Sequence, residues 1–283
     1  MADGVPTNLR MPRAFVTGWP IRHSRSPLIH RFWLSQLAID GSYDAMAIPP
    51  DEFPSFLSGL GDNGFVGGNV TIPHKEAAFA GVARRDGDAE VIGAVNTIWL
   101  ENGSLVGGNT DAYGFTANLD ERLAGWRDAQ TAVVLGAGGA ARAVVHALLA
   151  SGIRSVRILN RTPQRAEALA AAFGARAKGY GLDDMARHLV ASELLVNTAP
   201  SSAYAEPPDL SALPDHALVT DIVYVPLITP VLQAAIDRNL RTADGIGMLL
   251  HQAVPGFERW FGSRPAVSPD LRQRVLDDIA QHG

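Results

Sequence analysis

Lysine and arginine together contribute 24 side chains to this sequence, yet only Lys75 and Lys178 are lysines. Arginine keeps its proton at any working pH, whereas a lysine can release one when its surroundings lower its pKa. A lysine retained against such a bias raises the question of what arginine could not do in its place. For Lys178 the bias itself is explanation enough. Lys75 closes the run Asn69-Val70-Thr71-Ile72-Pro73-His74-Lys75, and three further polar runs share its character: Ser24-Arg25-Ser26-Pro27, Ala94-Val95-Asn96-Thr97 and Asn109-Thr110-Asp111. Hydroxyls and amides with one ammonium and one carboxylate suit a small polyhydroxylated anion. Taken singly, each residue has a structural reading: Ser26 caps a helix, Asn69 and Asn109 serve turns, and Asp111 is an N-cap. Nearly all of them, however, fall where a strand pattern gives way to a loop, and the carboxyl ends of strands are where open α/β sheets bind ligands.

A second constellation is Gly136-Ala137-Gly138-Gly139-Ala140-Ala141. It matches the G-x-G-x-x-G/A fingerprint, follows the apolar strand pattern Ala132–Leu135 and opens a helical one, which is the context the motif needs. The glycines allow a tight turn and close backbone approach to a pyrophosphate, whose charge the helix N-terminus favours. An NAD-binding chain usually places an acidic residue about 20 residues beyond these glycines, on the ribose 2′-hydroxyl. Here Asn160-Arg161-Thr162 stands there, with Arg165 one turn on. Two guanidinium groups and no carboxylate suit a 2′-phosphate, so the cofactor read from the sequence is NADP.

These residues need elements to hold them. Short β-prone runs alternate with helical patterns throughout, the signature of an α/β protein. Strands are expected at Ala14–Gly18, Tyr43–Ile48 and Phe65–Thr71, with a hairpin of Ala94–Leu100 and Ser104–Gly108 around Asn102-Gly103. Helices are expected from Ser26 to about Ile39, after a cap at Asp51, and from Asp111 to about Leu123. A second α/β unit begins at Thr131 with a strand, the glycine turn and a long helix. Its next strand is SVRILNRT, followed by a helix and the strands ELLVNTAPSS and ALVTDIVY. The tail from Gly245 to His282 reads as two helices without a strand.

The composition sets the boundaries. A chain of 283 residues, 47% hydrophobic and 19% charged, has ample apolar surface for one large or two ordinary domains. A net charge of −5 offers no basic field for nucleic acid, and zero cysteines exclude disulfides, iron–sulfur clusters and thiolate zinc sites. The most apolar stretch, 132–151, is interrupted by Arg142 and His146, and the first residues lack the pattern of a secretory signal. The expectation is a soluble cytoplasmic protein with a small-molecule substrate, no nucleic-acid, membrane or metal partner, and a monomeric or homodimeric state.

Together these motifs resemble the shikimate dehydrogenase family along essentially the whole length: Ser24-x-Ser26, NVTIPHK, GAVNT, NTDAYG, GAGGAA, NRT with Arg165, and DGIGMLLHQA. The resemblance implies NADP-linked hydride transfer between 3-dehydroshikimate and shikimate. It also implies a substrate domain of residues 1–110, completed by helices of 245–283, and a Rossmann-type NADP domain of 111–244. By position, Ser24 and Ser26 would hold the substrate carboxylate. Asn69, Thr71, Asn96, Asp111 and Gln252 would contact ring hydroxyls, and Tyr224 would lie near the carboxylate and nicotinamide. Lys75 and Asp111 would be the catalytic pair. Cofactor contacts would come from Gly136, Ala137, Gly138, Gly139, Ala140, Asn160, Arg161, Thr162, Arg165, Thr198, Ile222, Gly245 and Met248. The chemistry is coherent: hydride delivery to a ketone carbon leaves an alkoxide that must gain a proton, which Lys75 can give while Asp111 orients it.

Two positions depart from the family pattern, His74 where an aromatic residue is common and Ala199-Pro200 where small polar residues are. Quinate use, or a more relaxed choice of cofactor, is the neighbouring possibility. Ser26 speaks against it, since threonine there would accompany quinate use. A non-catalytic NADP-binding sensor would not need the Lys75/Asp111 pair, and a folate dehydrogenase of the same layout would not need the SRS and NTD motifs.

Overall fold

The computed structural model of the chain describes residues 11–203 and 206–282, which fall into two compact units. The first holds β1 (Arg13–Gly18), α1 (Ser26–Gln36), β2 (Ser42–Ala47), α2 (Phe53–Ser58), β3 (Phe65–Val70), α3 (Lys75–Gly81), β4 (Arg84–Arg85), the start of α4 (Gly87–Ile92, of which Glu90–Ile92 group with the second unit), β5 (Thr97–Glu101) and β6 (Ser104–Gly108). Its six strands form one mixed sheet in the order β2-β1-β3-β5-β6-β4. β1 runs parallel to both β2 and β3, whereas β3, β5 and β6 alternate in direction. Asn102 and Gly103 both have positive φ, 52° and 78°, so the two-residue Asn-Gly turn closes the β5–β6 hairpin where the sequence places it. Phe15, Phe53, Leu57, Phe65, Val70 and Ile98 make the buried core beneath the sheet.

Local details differ from expectation for identifiable reasons. Asp51 does not cap α2: the helix begins after Glu52, with no side-chain capping bond, because the Pro49 carbonyl already accepts from the Glu52 and Phe53 amides. The β5 ladder starts at Thr97 rather than Ala94, since the Val95 amide is bonded to the Lys75 carbonyl and the Asn96 amide to the Gly108 carbonyl. Asp111 is the first residue of its helix rather than its cap, which is Thr110.

The second unit holds α5 (Asp111–Arg122), β7 (Thr131–Leu135), α6 (Gly139–Ala150), β8 (Ser155–Asn160), α7 (Pro163–Ala171), β9 (Ala177–Gly181), α8 (Met185–Leu189), β10 (Leu194–Asn197), β11 (Leu218–Asp221), α9 (Pro230–Asp237) and β12 (Arg241–Ala243). The strand order is β12-β11-β10-β7-β8-β9, parallel throughout. Strand order reverses between β7 and β10, so their carboxyl ends flank the switch point at which doubly wound sheets bind ligands. α6 buries its apolar stripe, Ala141, Val144, Val145 and Leu148 included, and so supports the glycine turn that precedes it.

The tail forms three helices rather than two: α10 (Ile246–His251), α11 (Ala253–Phe261) and α12 (Pro269–His282). Only residues 254–266 join the first unit, where Trp260 Nε1 donates to the Ile98 carbonyl at 2.9 Å and Trp33 Nε1 to the Ala266 carbonyl at 3.0 Å. α10 and α12 belong to the second unit, α12 through Arg272, which bonds Asp244 at 2.5 Å. The division is thus more interleaved than a clean return of 245–283 to the first domain. No helix among the described residues is long and apolar enough to cross a membrane.

Candidate active site

In the first unit the candidate substrate residues lie at and just beyond the carboxyl ends of β1 and β3 and before β5. Ser24 and Ser26 follow β1; the Ser26 amide approaches Ser24 Oγ at 3.4 Å and Ser26 itself is buried at the start of α1. Asn69 is a strand residue rather than a turn residue, and its amide is fully engaged on the donor side: Nδ2 bonds the Asn96 carbonyl and Thr97 Oγ1, each at 3.2 Å. Any contact Asn69 makes with a ligand is therefore as an acceptor. Thr71 is tied to β1 through its amide, which bonds the Thr17 carbonyl at 2.9 Å. Lys75 opens α3, half-buried, and its carbonyl accepts from the Val95 amide at 3.0 Å, which fixes the loop carrying Asn96 to the helix carrying Lys75.

His74 packs as an aromatic residue would. Its ring stacks on Phe53 with centroids 4.4 Å apart and planes 3° from parallel, and Nε2 lies 2.7 Å from the Ile48 carbonyl. The Lys75 helix is thereby anchored to α2.

In the second unit a cavity of about 350 Å³ opens at the carboxyl ends of β7, β8 and β10. Gly136, Ala137 and Gly138 form one wall; Asn160, Arg161, Thr162 and Arg165 another; Leu182, Thr198 and Ala199-Pro200 are among the others that line it. Gly136 has φ of +104°, and a Cβ there would stand 2.6 Å from Thr198 Oγ1, so only glycine makes this turn beside β10. Cβ atoms placed on Gly138 and Gly139 would meet nothing within 4 Å, which leaves their backbone open to a ligand. Arg161 and Arg165 are exposed, and no carboxylate lines the cavity. Glycine backbone at a helix N-terminus together with two guanidinium groups fits a dinucleotide bearing a 2′-phosphate.

The residues beyond β10 and β11 are held by a network that sequence reasoning missed. Asn197 and Asp221 end adjacent strands in register. The Asp221 carboxylate accepts from Asn197 Nδ2 at 2.9 Å, Thr229 Oγ1 at 2.6 Å and the Val223 amide at 2.8 Å. Burial pushes its pKa above the ordinary carboxylate value, and the hydrogen bonds from Thr229 and Asn197 oppose that rise. Asn197 also bonds both the carbonyl and the amide of Ala199, and its own carbonyl accepts from the Ile222 amide. Thr198 and Ile222 are therefore carried on loops pinned to one buried carboxylate. The signal was available as a polar residue closing each of two otherwise apolar strand runs.

Gly245 backs directly onto the Ile222 carbonyl, and Met248 is buried in α10. Tyr224 is half-buried beyond β11. Asp111 is held at the start of α5, its amide bonded to Asn109 Oδ1 at 3.0 Å, and Gln252 Oε1 lies 3.5 Å from Thr110 Oγ1. The structure thus gathers the serine, amide and lysine residues in the first unit. Asp111, Gln252, Tyr224 and the cofactor residues belong to the second.

Residues 16–98 match the shikimate dehydrogenase substrate binding domain, 119–223 match the shikimate / quinate 5-dehydrogenase family, and 245–273 match the shikimate 5′-dehydrogenase C-terminal domain. A shikimate dehydrogenase (NADP(+)) of Brucella melitensis is 58% identical over 277 residues, 96% of each chain, and one of Mesorhizobium japonicum is 55% identical over 270 residues, 94% of this chain and 96% of the relative. Among solved structures, shikimate 5-dehydrogenase from Thermus thermophilus, in complex with NADP(H) and shikimate, superposes with a TM-score of 0.82 at 38% identity, covering 95% of this chain and all of the other. Quinate dehydrogenase from Corynebacterium glutamicum, in complex with NAD, gives 0.86 at 28% identity, covering 94% and 99%.

Proposed function

The chain belongs to the shikimate and quinate dehydrogenase family, and from that premise we propose that it catalyses the reversible NADP-dependent reduction of 3-dehydroshikimate to shikimate. The observation that carries the cofactor choice is the cavity beside the glycine turn, with Arg161 and Arg165 on its wall and no acidic side chain to meet a ribose 2′-hydroxyl. The Gly136–Ala140 backbone holds the pyrophosphate, Asn160, Arg161, Thr162 and Arg165 the adenosine 2′-phosphate, and Thr198, Ile222, Gly245 and Met248 the nicotinamide end. When bound, the cofactor supplies or accepts the hydride.

The remaining chemistry falls to side chains. Ser24 and Ser26 donate to the substrate carboxylate, with Tyr224 beside it. Thr71, Asn96, Asp111 and Gln252 bind the ring hydroxyls, and Asn69 adds an acceptor. In the direction of reduction the ketone oxygen gains negative charge, and the Lys75 ammonium delivers a proton to it. In the reverse direction the neutral Lys75 amine takes the hydroxyl proton. In this reading Asp111 is the partner of Lys75 in the catalytic pair.

The test is NADP reduction with shikimate and with quinate side by side, repeated with NAD. Shikimate with NADP is expected to give the highest kcat/KM. Equal efficiency with quinate would make the chain a dual-substrate member of the family, and no reduction with either acid would overturn the proposal.

A further inference from the structure

Where α5 crosses α10 in the second unit, two contact points lie on one face of α5. Positions 111, 114 and 118 follow at spacings of three and four, so Asp111 shares that face with both. At the first point a Cβ on Gly114 would stand 2.7 Å from the Met248 carbonyl and 2.8 Å from the Gln252 amide nitrogen, so the two backbones meet there. At the second, Asn118 is 2% exposed and its side chain reaches the opening turn of α10. The Asp244 carbonyl can only accept, so the atom 2.9 Å from it is Asn118 Nδ2. Asn118 Oδ1 is then the atom pressed on Gly247: a Cβ there would overlap it and stand 2.5 Å from Asn118 Cγ. This oxygen has no hydrogen-bond partner among the described residues, so what it supplies is bulk. Asp244 is held in turn by its carboxylate, which accepts from the Ile246 amide at 3.1 Å and from Arg272 of α12 at 2.5 Å.

We propose that Asn118 is a positioning residue for the nicotinamide end of the cofactor site, acting through Asp244 and Gly247 on the turn that carries Gly245 and Met248. Its two amide atoms oppose each other. The Nδ2 bond draws the turn toward α5, and the Oδ1 contact stops it from coming closer, so the spacing of the helices is fixed from both sides. Met248 follows Gly247 directly, and Gly245 lies between Asp244 and Gly247, against the Ile222 carbonyl. A shift at Gly247 is therefore carried to both, and misplacement by about 1 Å can cost about a hundredfold in rate. An apolar side chain of the same shape would supply the stop without the bond, and alanine would supply neither. The proposal rests on the reading of Gly245 and Met248 as nicotinamide contacts and adds what sets their place.

The two ends of the cofactor are separated experimentally with 2′,5′-ADP, which carries the adenosine phosphates and no nicotinamide. Asn118→Leu, close in shape and lacking the donor, is expected to lower kcat at saturating shikimate and NADP by about ten- to a hundredfold and to change the emission of bound NADPH. Its inhibition constant for 2′,5′-ADP should stay within about twofold of the unaltered protein's. Gly247→Ala is expected to behave alike. In Asn118→Ala/Gly247→Ala the nearest Asn118 atom left to meet the new methyl is Cβ, at 3.2 Å, and kcat should recover by about fivefold or more over Gly247→Ala. A loss caused by a merely weakened fold would not be relieved by a second truncation. If Asn118→Leu fails to fold, the recovery in the double variant decides, and its absence overturns the role. Met248→Ala reports on the underlying reading. Altered NADPH emission there, with kcat and emission unchanged in Asn118→Leu, would overturn the positioning role alone, as would equal losses of 2′,5′-ADP and NADP binding. Unchanged emission and kcat in Met248→Ala would overturn both.

Discussion

An arginine at position 75 would keep the charge and much of the reach of the lysine while removing its easily transferred proton. If Lys75 is the proton donor, Lys75→Arg and Lys75→Met should both lower kcat by about 10²–10⁴, the usual contribution of general acid–base catalysis, with far smaller effects on shikimate binding. Near-normal turnover in the arginine variant, measured at saturating shikimate and NADP, would reduce Lys75 to an electrostatic role. At the cofactor end, Arg161→Ala should raise the KM for NADP and spare that for NAD. A charge-assisted hydrogen bond to the 2′-phosphate is worth about 1.5–3 kcal/mol, roughly ten- to 150-fold in affinity. Equal losses with both cofactors would mean that the guanidinium does not read the phosphate. Residues of this kind stand out in the sequence because their types are unusual where they stand: one of only two lysines among the cations, or two arginines where a carboxylate is usual.

The elements were legible in proportion to their apolar patterning. β7, the glycine turn and α6 stand out because a buried parallel strand and a long amphipathic helix flank a motif with a fixed geometry. β9 was missed because AKGYG is poor strand sequence; it becomes a strand by pairing with β8 and because α7 lies so close that a Cβ on Gly179 would stand 2.2 Å from its backbone. β4 and β12 have two and three residues, too few for a period to show. The Asn197–Asp221 network went unread because its meaning depends on which strands are neighbours. Three donors converge on the Asp221 carboxylate. Asp221→Asn would turn one acceptor into a fourth donor and should destabilise the protein by about 1–3 kcal/mol, the cost of leaving buried donors unpaired. Because the loops bearing Thr198 and Ile222 hang from that carboxylate, the KM for NADP should rise more than the KM for shikimate. Unchanged urea unfolding in Asp221→Asn would show that the network is incidental to both.

At the scale of the whole molecule, acid stability is expected to be set in large part by one histidine of the first unit. His30 is fully buried, stacked on Tyr43 at 4.0 Å and packed among Trp33, Phe257 and Trp260, the last two brought by the returning helix α11. Neither ring nitrogen has a hydrogen-bond partner among the described residues, and burial pushes its pKa down to about 3, the Asn69 side chain opposing this only in part. The unfolded chain protonates His30 near 6.5, the folded one near 3, so its contribution is complete above about 6.5 and is lost progressively as the pH falls toward 3. At pH 5 the unfolded state has gained about 2 kcal/mol from this group alone, at 1.36 kcal/mol for each pH unit below 6.5. Two compact units need not unfold together, so the probe must report on the right one. Trp19, Trp33, Trp99 and Trp260 lie in the first unit and only Trp126 in the second, which makes tryptophan fluorescence chiefly a signal of the first. Urea titrations at pH 7 and pH 5 should therefore show the unaltered protein losing about 2 kcal/mol more than His30→Leu between the two conditions. The difference between the two pH values removes whatever packing cost the leucine brings at both. Parallel losses in the two proteins would mean that His30 is already uncharged in the unfolded chain at pH 5, or protonated in the folded one, and the acid sensitivity would then belong to other groups.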